Sequence, residues 1–220
     1  MNANNESILD VIARRIWTIL KTRSFSNRVW IPADYPQPID QQCLDNCKLV
    51  VDREIMIERL SFSSKPIIAE IGVLRGDFSS FLLNCLSPQE LHLFDLDFKN
   101  QKIEDLFAQE IQSSQVVLHE GDSSTFLSTM SNDYFDLIYI DGDHSYSGVI
   151  KDISAAKKKL KDNGYLIFND YTYWSPGECM QYGVVPAVNE LLSSGDWEAV
   201  YFALEGLSYC DIALRRKLDK

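Results

Sequence analysis

The sequence predicts an α/β protein: one mainly parallel sheet with helices packed on both faces. Two observations lead there. Between residues 65 and 217, apolar runs with the length and β-branched or aromatic content of buried strands alternate with stretches that repeat at the helical period. The five runs from PIIAEIG (66–72) to GYLIFND (164–170) also each end in Gly, Asp or Asn. Polar residues therefore collect at the carboxyl ends of successive strands, the edge where open α/β sheets bind ligands.

The elements follow in order. Ile8, Val11, Ile12, Ile16, Ile19 and Leu20 recur at three- and four-residue steps after a capping Ser7 and predict a first helix. Pro32, Pro36 and Pro38 break the pattern with an irregular loop, and a second helical stretch covers roughly Gln41 to Leu60. Residues 1–64 are thus read as a helical extension across one end of the sheet, and residues 65–220 as the main domain. The Ile8 to Leu20 stripe suits packing within its own subunit or in a homodimer. After PIIAEIG come a helix from Phe78 to Leu86, the strand LHLFDLD, a helix from Lys102 to Gln112 and the strand QVVLHEGD. A helix from Thr125 to Met130, the strand FDLIYIDGD, a helix from Gly148 to Leu160 and the strand GYLIFND complete the alternation. The Lys157 to Lys161 run reads as the solvated last turn of its helix, where cations oppose the dipole. Tyr171 to Gly183 is an aromatic loop before a helix near Val185. WEAVYFALEG and LSYCDIALRRK form a terminal antiparallel hairpin around a Gly-containing turn.

Composition narrows the partners. With 45% hydrophobic and 24% charged residues, the 220-residue chain is ordinary globular protein. A formal charge of −11 and a pI near 4.7 set it against a nucleic-acid backbone or an anionic membrane. The five cysteines show no C-x-x-C spacing and read as reduced thiols of a cytoplasmic protein. The opening MNANNESILD has no export pattern, and no apolar run is long enough to span a membrane.

The first strand turns through Glu70, Gly72 and Gly76 in an E-x-G-x-x-x-G pattern, with glycines that let backbone approach a ligand closely. It is not the dinucleotide G-x-G-x-x-G, since Leu74 stands at the second glycine. Asp95 ends the second strand 19 residues after Gly76, about where an acid meets a ribose, with Asp97 as the fallback. Asp122 can accept from an adenine amino group or cap a helix, and Ser123 can cap the next helix. Asp141, Asp143 and His144 follow the fourth strand in IDGDHSY, and Asn169 and Asp170 follow the fifth.

This ordered set resembles the class I S-adenosylmethionine-dependent methyltransferases. Within them it resembles a small bacterial D-G-D-H-x-Y branch (methyltransferase 24-like) related to macrocin-type and catechol-type O-methyltransferases. The resemblance covers roughly Lys65 to Arg216 and implies a Rossmann-like fold with a seven-stranded sheet and a reversed C-terminal strand. It also implies S-adenosylmethionine as cofactor, with Glu70, Gly72, Asp95 and Asp122 holding it and Gly76, Ser123 and Asp141 beside them.

Asp141, Asn169 and Asp170 offer three oxygens on one edge, a donor set for Mg²⁺ or a similar hard cation. In the metal-dependent relatives these positions run Asp then Asp-Asn; here the last two are exchanged. The alternative is that Asp141 and Asp170 cap turns. His144 stands where catechol-type relatives carry a lysine base, and Asp143 competes with it for the acceptor proton. The expected activity is metal-assisted O-methylation of a small hydroxylated molecule, a sugar, phenol or natural-product intermediate. An inactive nucleoside-binding module and a nicotinamide-dependent oxidoreductase are the rivals. The loop from Tyr171 to Gly183 is either a substrate wall or aromatic packing on the sheet edge; Trp30, Tyr35 and Tyr173 meet across the cleft if the extension folds over it.

Overall fold

The computed structural model describes residues 38–98 and 102–217. Its strands are β1 (Lys48–Val50), β2 (Ile67–Ile71), β3 (Glu90–Asp95), β4 (Val116–Glu120), β5 (Phe135–Ile140), β6 (Leu160–Phe168), β7 (Trp174–Ser175), β8 (Met180–Gln181), β9 (Trp197–Ala203) and β10 (Asp211–Arg216). Eight of them form one sheet in the order β1-β9-β10-β6-β5-β2-β3-β4, while β7 and β8 pair only with each other. Strand β10 alone runs against its neighbours, β6 and β9. The helices are α1 (Arg53–Glu58), α2 (Asp77–Leu86), α3 (Ile103–Leu106), α4 (Ala108–Gln112), α5 (Ser123–Thr129), α6 (Tyr146–Ala156) and α7 (Val184–Ser193).

The period of two along each central strand divides the core between the faces. Leu137 and Tyr139 join Met56, Ile57, Phe78 and Leu82 of α1 and α2 on one face. Ile138 and Ile140 join Leu127, Val149, Ile153 and Val188 of α5, α6 and α7 on the other. Both faces are covered, which is why these runs are almost continuously apolar. From β2 the chain steps outward to β3 and β4, then returns to β5 on the other side of β2. That reversal opens a crevice at the carboxyl ends of β2 and β5.

The structure departs from the sequence reading in four places. The sheet has an eighth strand: β1 pairs in parallel with β9 at the edge, Leu49 opposite Phe202. The stretch from Gln41 to Leu60, expected to be helical, is a 3-10 turn at Gln41–Cys43, then β1, then the short α1. Asp52 caps α1 by accepting from the Ile55 N–H, and Met56 and Ile57 are buried. This part of the supposed extension is therefore continuous with the sheet and its core, past the boundary drawn at residue 64. The helix expected from Lys102 to Gln112 is broken at Phe107 into α3 and α4.

The basic run is the fourth departure. Helix α6 ends at Ala156, and Lys159 is buried, its Nζ donating to Met130 O at 2.7 Å and Asn132 Oδ1 at 3.0 Å. A lysine with a long apolar stem can be buried when its ammonium is satisfied in this way. The expected helix from Ile8 to Leu20, with Trp30 and Tyr35, lies outside the described residues. Among the described residues no helix is long and apolar enough to cross a membrane.

Candidate active site

A cleft of about 620 Å³ opens at the carboxyl edge, lined in part by Gly72, Asp95, Asp122, Asp141 and His144. Glu70 lies beneath it, 2% exposed, and its Oε2 has no hydrogen-bond partner. Burial pushes its pKa up to about 8; Asp141 and Asp95 add to the rise, while Ser79 and Arg53 oppose it. A buried carboxyl left without a partner is costly unless a ligand supplies one.

Gly72 has φ +86°, and a Cβ there would stand 2.0 Å from Asp141 O. The close approach is thus first to the backbone after β5, which seats the two strand ends against each other. Gly76 does not face the cleft: it is buried at φ +77°, and a Cβ would meet Leu106, Ile103 and Phe107. Its place is structural, starting α2 beneath α3. Leu74, which stands where the dinucleotide pattern has its second glycine, still takes a positive φ of 49°. Asp95 holds this loop, Oδ2 accepting from Val73 N at 2.9 Å and Leu74 N at 3.2 Å.

Asp122 is the N-cap of α5, accepting from Thr125 N at 3.0 Å. It is also bonded to Lys151 of α6, and this and the Ser124 hydroxyl hold its pKa well below the usual carboxylate range. Ser123 does not cap the helix as expected. It is the first helical residue, and its hydroxyl donates to Asp152 Oδ1 at 2.6 Å. Asp152, a buried cleft carboxylate inside α6, sits on a helical face that periodicity assigns to packing.

Asp143 is committed locally: its Oδ1 accepts from Ser145 N at 2.8 Å and its Oδ2 from Ser145 Oγ at 2.9 Å. Ser145 in turn caps α6. His144 is freer. Its Nε2 is buried without a hydrogen-bond partner, 3.4 Å from Asp141 Oδ1 and 3.8 Å from Asp170 Oδ2. Burial lowers the His144 pKa, but the carboxylates of Asp141, Asp170 and Glu178 outweigh it and the net shift is upward. Burial also pushes Asp170 up to about 6. The Tyr182 ring stacks on His144 with centroids 4.5 Å apart and planes 7° apart, fixing the imidazole. Tyr182 belongs to the aromatic loop, which folds into the β7–β8 hairpin; that hairpin delivers Glu178 to the cleft. Tyr182 is buried, as the packing alternative expects, while Trp174 is half exposed.

Asn169 is turned inward. Its Nδ2 donates to Tyr139 Oη at 3.2 Å and Asp211 Oδ1 at 3.1 Å, and Tyr139 Oη donates to Asp211 Oδ2 at 2.6 Å. Among the described residues no three His, Cys, Asp or Glu side chains converge to hold a metal ion. With Asn169 buried outside the cleft lining and His144 Nε2 facing both Asp141 and Asp170, the residues do not fit the three-oxygen cation site expected from the sequence. Arg53, Tyr139 and Asp211 were missed: Arg53 lay in the segment set apart, and Tyr139 reads as strand core.

The fold is that of solved methyltransferase structures. Residues 69–171 match the methyltransferase 24 family model, described as a methyltransferase domain. Protein R132 of Acanthamoeba polyphaga mimivirus is 31% identical over 139 residues, 56% of this chain and 58% of that protein. The match therefore spans little more than half of that relative. A structure from Corynebacterium glutamicum superposes with a TM-score of 0.59 at 15% identity, over 93% of this chain and 99% of the other. The Burkholderia thailandensis 1,6-didemethyltoxoflavin-N1-methyltransferase, with S-adenosylhomocysteine bound, gives a TM-score of 0.56 at 13% identity over 100% and 94%. Identities this low speak for the fold alone. The donor side of the cleft fits the cofactor: Glu70 Oε2 is buried without a hydrogen bond, and Asp95 lines the cleft, its Oδ1 held only by a 3.3 Å bond from Asp97 N.

Proposed function

We propose that the protein methylates a hydroxyl group of a small molecule, with His144 as the general base. The observation that carries this is the position of His144 Nε2, which has no hydrogen bond, with its ring stacked on Tyr182 and faced by two carboxylates. S-adenosylmethionine, when bound, supplies an electrophilic methyl group; Glu70, Gly72, Asp95 and Asp122 are the residues that would hold it. An acceptor hydroxyl within reach of Nε2 would give up its proton there as its oxygen takes the methyl carbon, the carbon–sulfur bond breaking to leave a neutral thioether. Asp141 and Asp170 then stabilise the imidazolium, and Tyr182 keeps the ring from turning away. Asp143, with both oxygens bonded to Ser145, serves the turn instead of the proton. Mg²⁺ is given no step, because Asn169 is buried and does not line the cleft.

The reading is tested with a panel of sugar and phenol acceptors. His144→Gln is expected to lower kcat by about 10²- to 10⁴-fold while S-adenosylhomocysteine binding stays within twofold. Because the base acts unprotonated, wild-type rate should rise with pH through a midpoint above the ordinary histidine value of 6.5. Full activity in His144→Gln would remove the base. Activity lost in EDTA and restored by Mg²⁺ would reinstate Asp141, Asn169 and Asp170 as metal ligands.

A further inference from the structure

The methyl donor of this class is a zwitterion at its amino-acid end, and a carboxylate leaving bulk water needs a cation or several N–H donors. The cleft offers few. Its charged lining is largely acidic, including Asp95, Asp141, Asp143 and Glu178. Lys151 is already bonded to Asp122, and exposed Arg75 pairs with Asp77 at 3.3 Å.

Arg53 is different. Its guanidinium is half-buried, lies 4.6 Å from the Phe78 ring centroid, and makes one long hydrogen bond, from Nη1 to Tyr139 Oη at 3.4 Å. Among the described residues no carboxylate forms an ion pair with it, and its remaining nitrogens are neither bonded nor fully buried. Asp211, the obvious structural counter-ion, is already satisfied by Tyr139, Asn169 and the Asp170 N–H.

Its place in the fold completes the case. Phe78 opens α2 directly after the Gly72–Gly76 loop, and Tyr139 is the register partner of Glu70, so the two project from the same face of adjacent strands. Arg53 and the buried Glu70 carboxyl, whose Oε2 has no hydrogen bond, thus stand near one another, one cation and one acid. That is a complementary pair for an ammonium and a carboxylate on one carbon.

We propose that Arg53 receives the α-carboxylate of the methyl donor, with Glu70 facing its ammonium, so that the pair selects the donor's amino-acid end. The proposal rests on the assignment of S-adenosylmethionine as cofactor. Arg53 binds and positions; it takes no part in proton or methyl transfer.

The test compares two ligands on the purified full chain by calorimetry. S-adenosylhomocysteine carries the amino-acid group, and 5′-methylthioadenosine shares the nucleoside and sulfur without it. Arg53→Met is expected to raise the Kd of S-adenosylhomocysteine about 10- to 100-fold, the range of a charge-assisted pair, and to leave that of methylthioadenosine within twofold. Arg53→Lys should recover part of the loss, and Arg75→Met should show none. An unchanged S-adenosylhomocysteine Kd in Arg53→Met, or an equal loss for both ligands, overturns the proposal. Wild-type protein that binds neither ligand overturns the cofactor assignment instead.

Discussion

Glu70 makes the most quantitative test of the buried acid beneath the cleft. Its pKa of about 8 in the fold stands against an ordinary 4.5, with burial as the main cause. The unfolded chain therefore releases this proton first as pH rises. Glu70's contribution to stability is complete below about pH 4.5 and is progressively lost up to about pH 8. Between pH 5 and 7.5 the loss is about 3 kcal/mol, at roughly 1.4 kcal/mol per unit. Glu70→Gln removes the titration and keeps the shape. Urea unfolding of both proteins at the two pH values, without ligand, should show the variant gaining about 3 kcal/mol on wild type at the higher pH. A wild-type-to-variant difference independent of pH would refute the reasoning, because Glu70 would then be ionised at no cost and already have a partner.

Two further substitutions probe the frame of the site. Gly72→Ala puts a Cβ 2.0 Å from Asp141 O at a φ of +86°. It should cost at least about 2 kcal/mol of stability by urea unfolding, and a well-folded variant of wild-type stability would show that β2 and β5 do not meet as described. Tyr139→Phe deletes the hydroxyl that donates to Asp211 and accepts from Asn169. The expected loss is about 1–3 kcal/mol, measured the same way, and no loss would mean the network is not satisfied through Tyr139.

The legible part of the fold was the alternation. Strands buried on both faces need continuous apolar runs, and the helices between them carry one apolar stripe, so β2 to β6 and their order of chemistry followed from local pattern. Strand β1 did not, because KLV is three residues long and exposes Lys48 and Leu49, leaving almost no apolar signal. Lys159 was misread for a related reason: a charged residue inside a basic run gives no sign that its ammonium will meet the Met130 carbonyl. In the site, Glu70, Asp95, Asp122, Asp141 and His144 were visible because each ends a strand. Asn169 was misassigned because its Nδ2 bonds to Tyr139 and Asp211, and Asp211 comes late in the chain, on β10. Arg53 was invisible because its partners, Phe78 and Tyr139, come from distant elements.

The most direct measurement of the central claim is a calorimetric titration of the protein with S-adenosylhomocysteine, run beside NAD⁺. The account predicts one-to-one micromolar binding of the first and none of the second. Binding of NAD⁺, or of neither, would contradict the assignment of the cleft between β2 and β5 to a methyl donor.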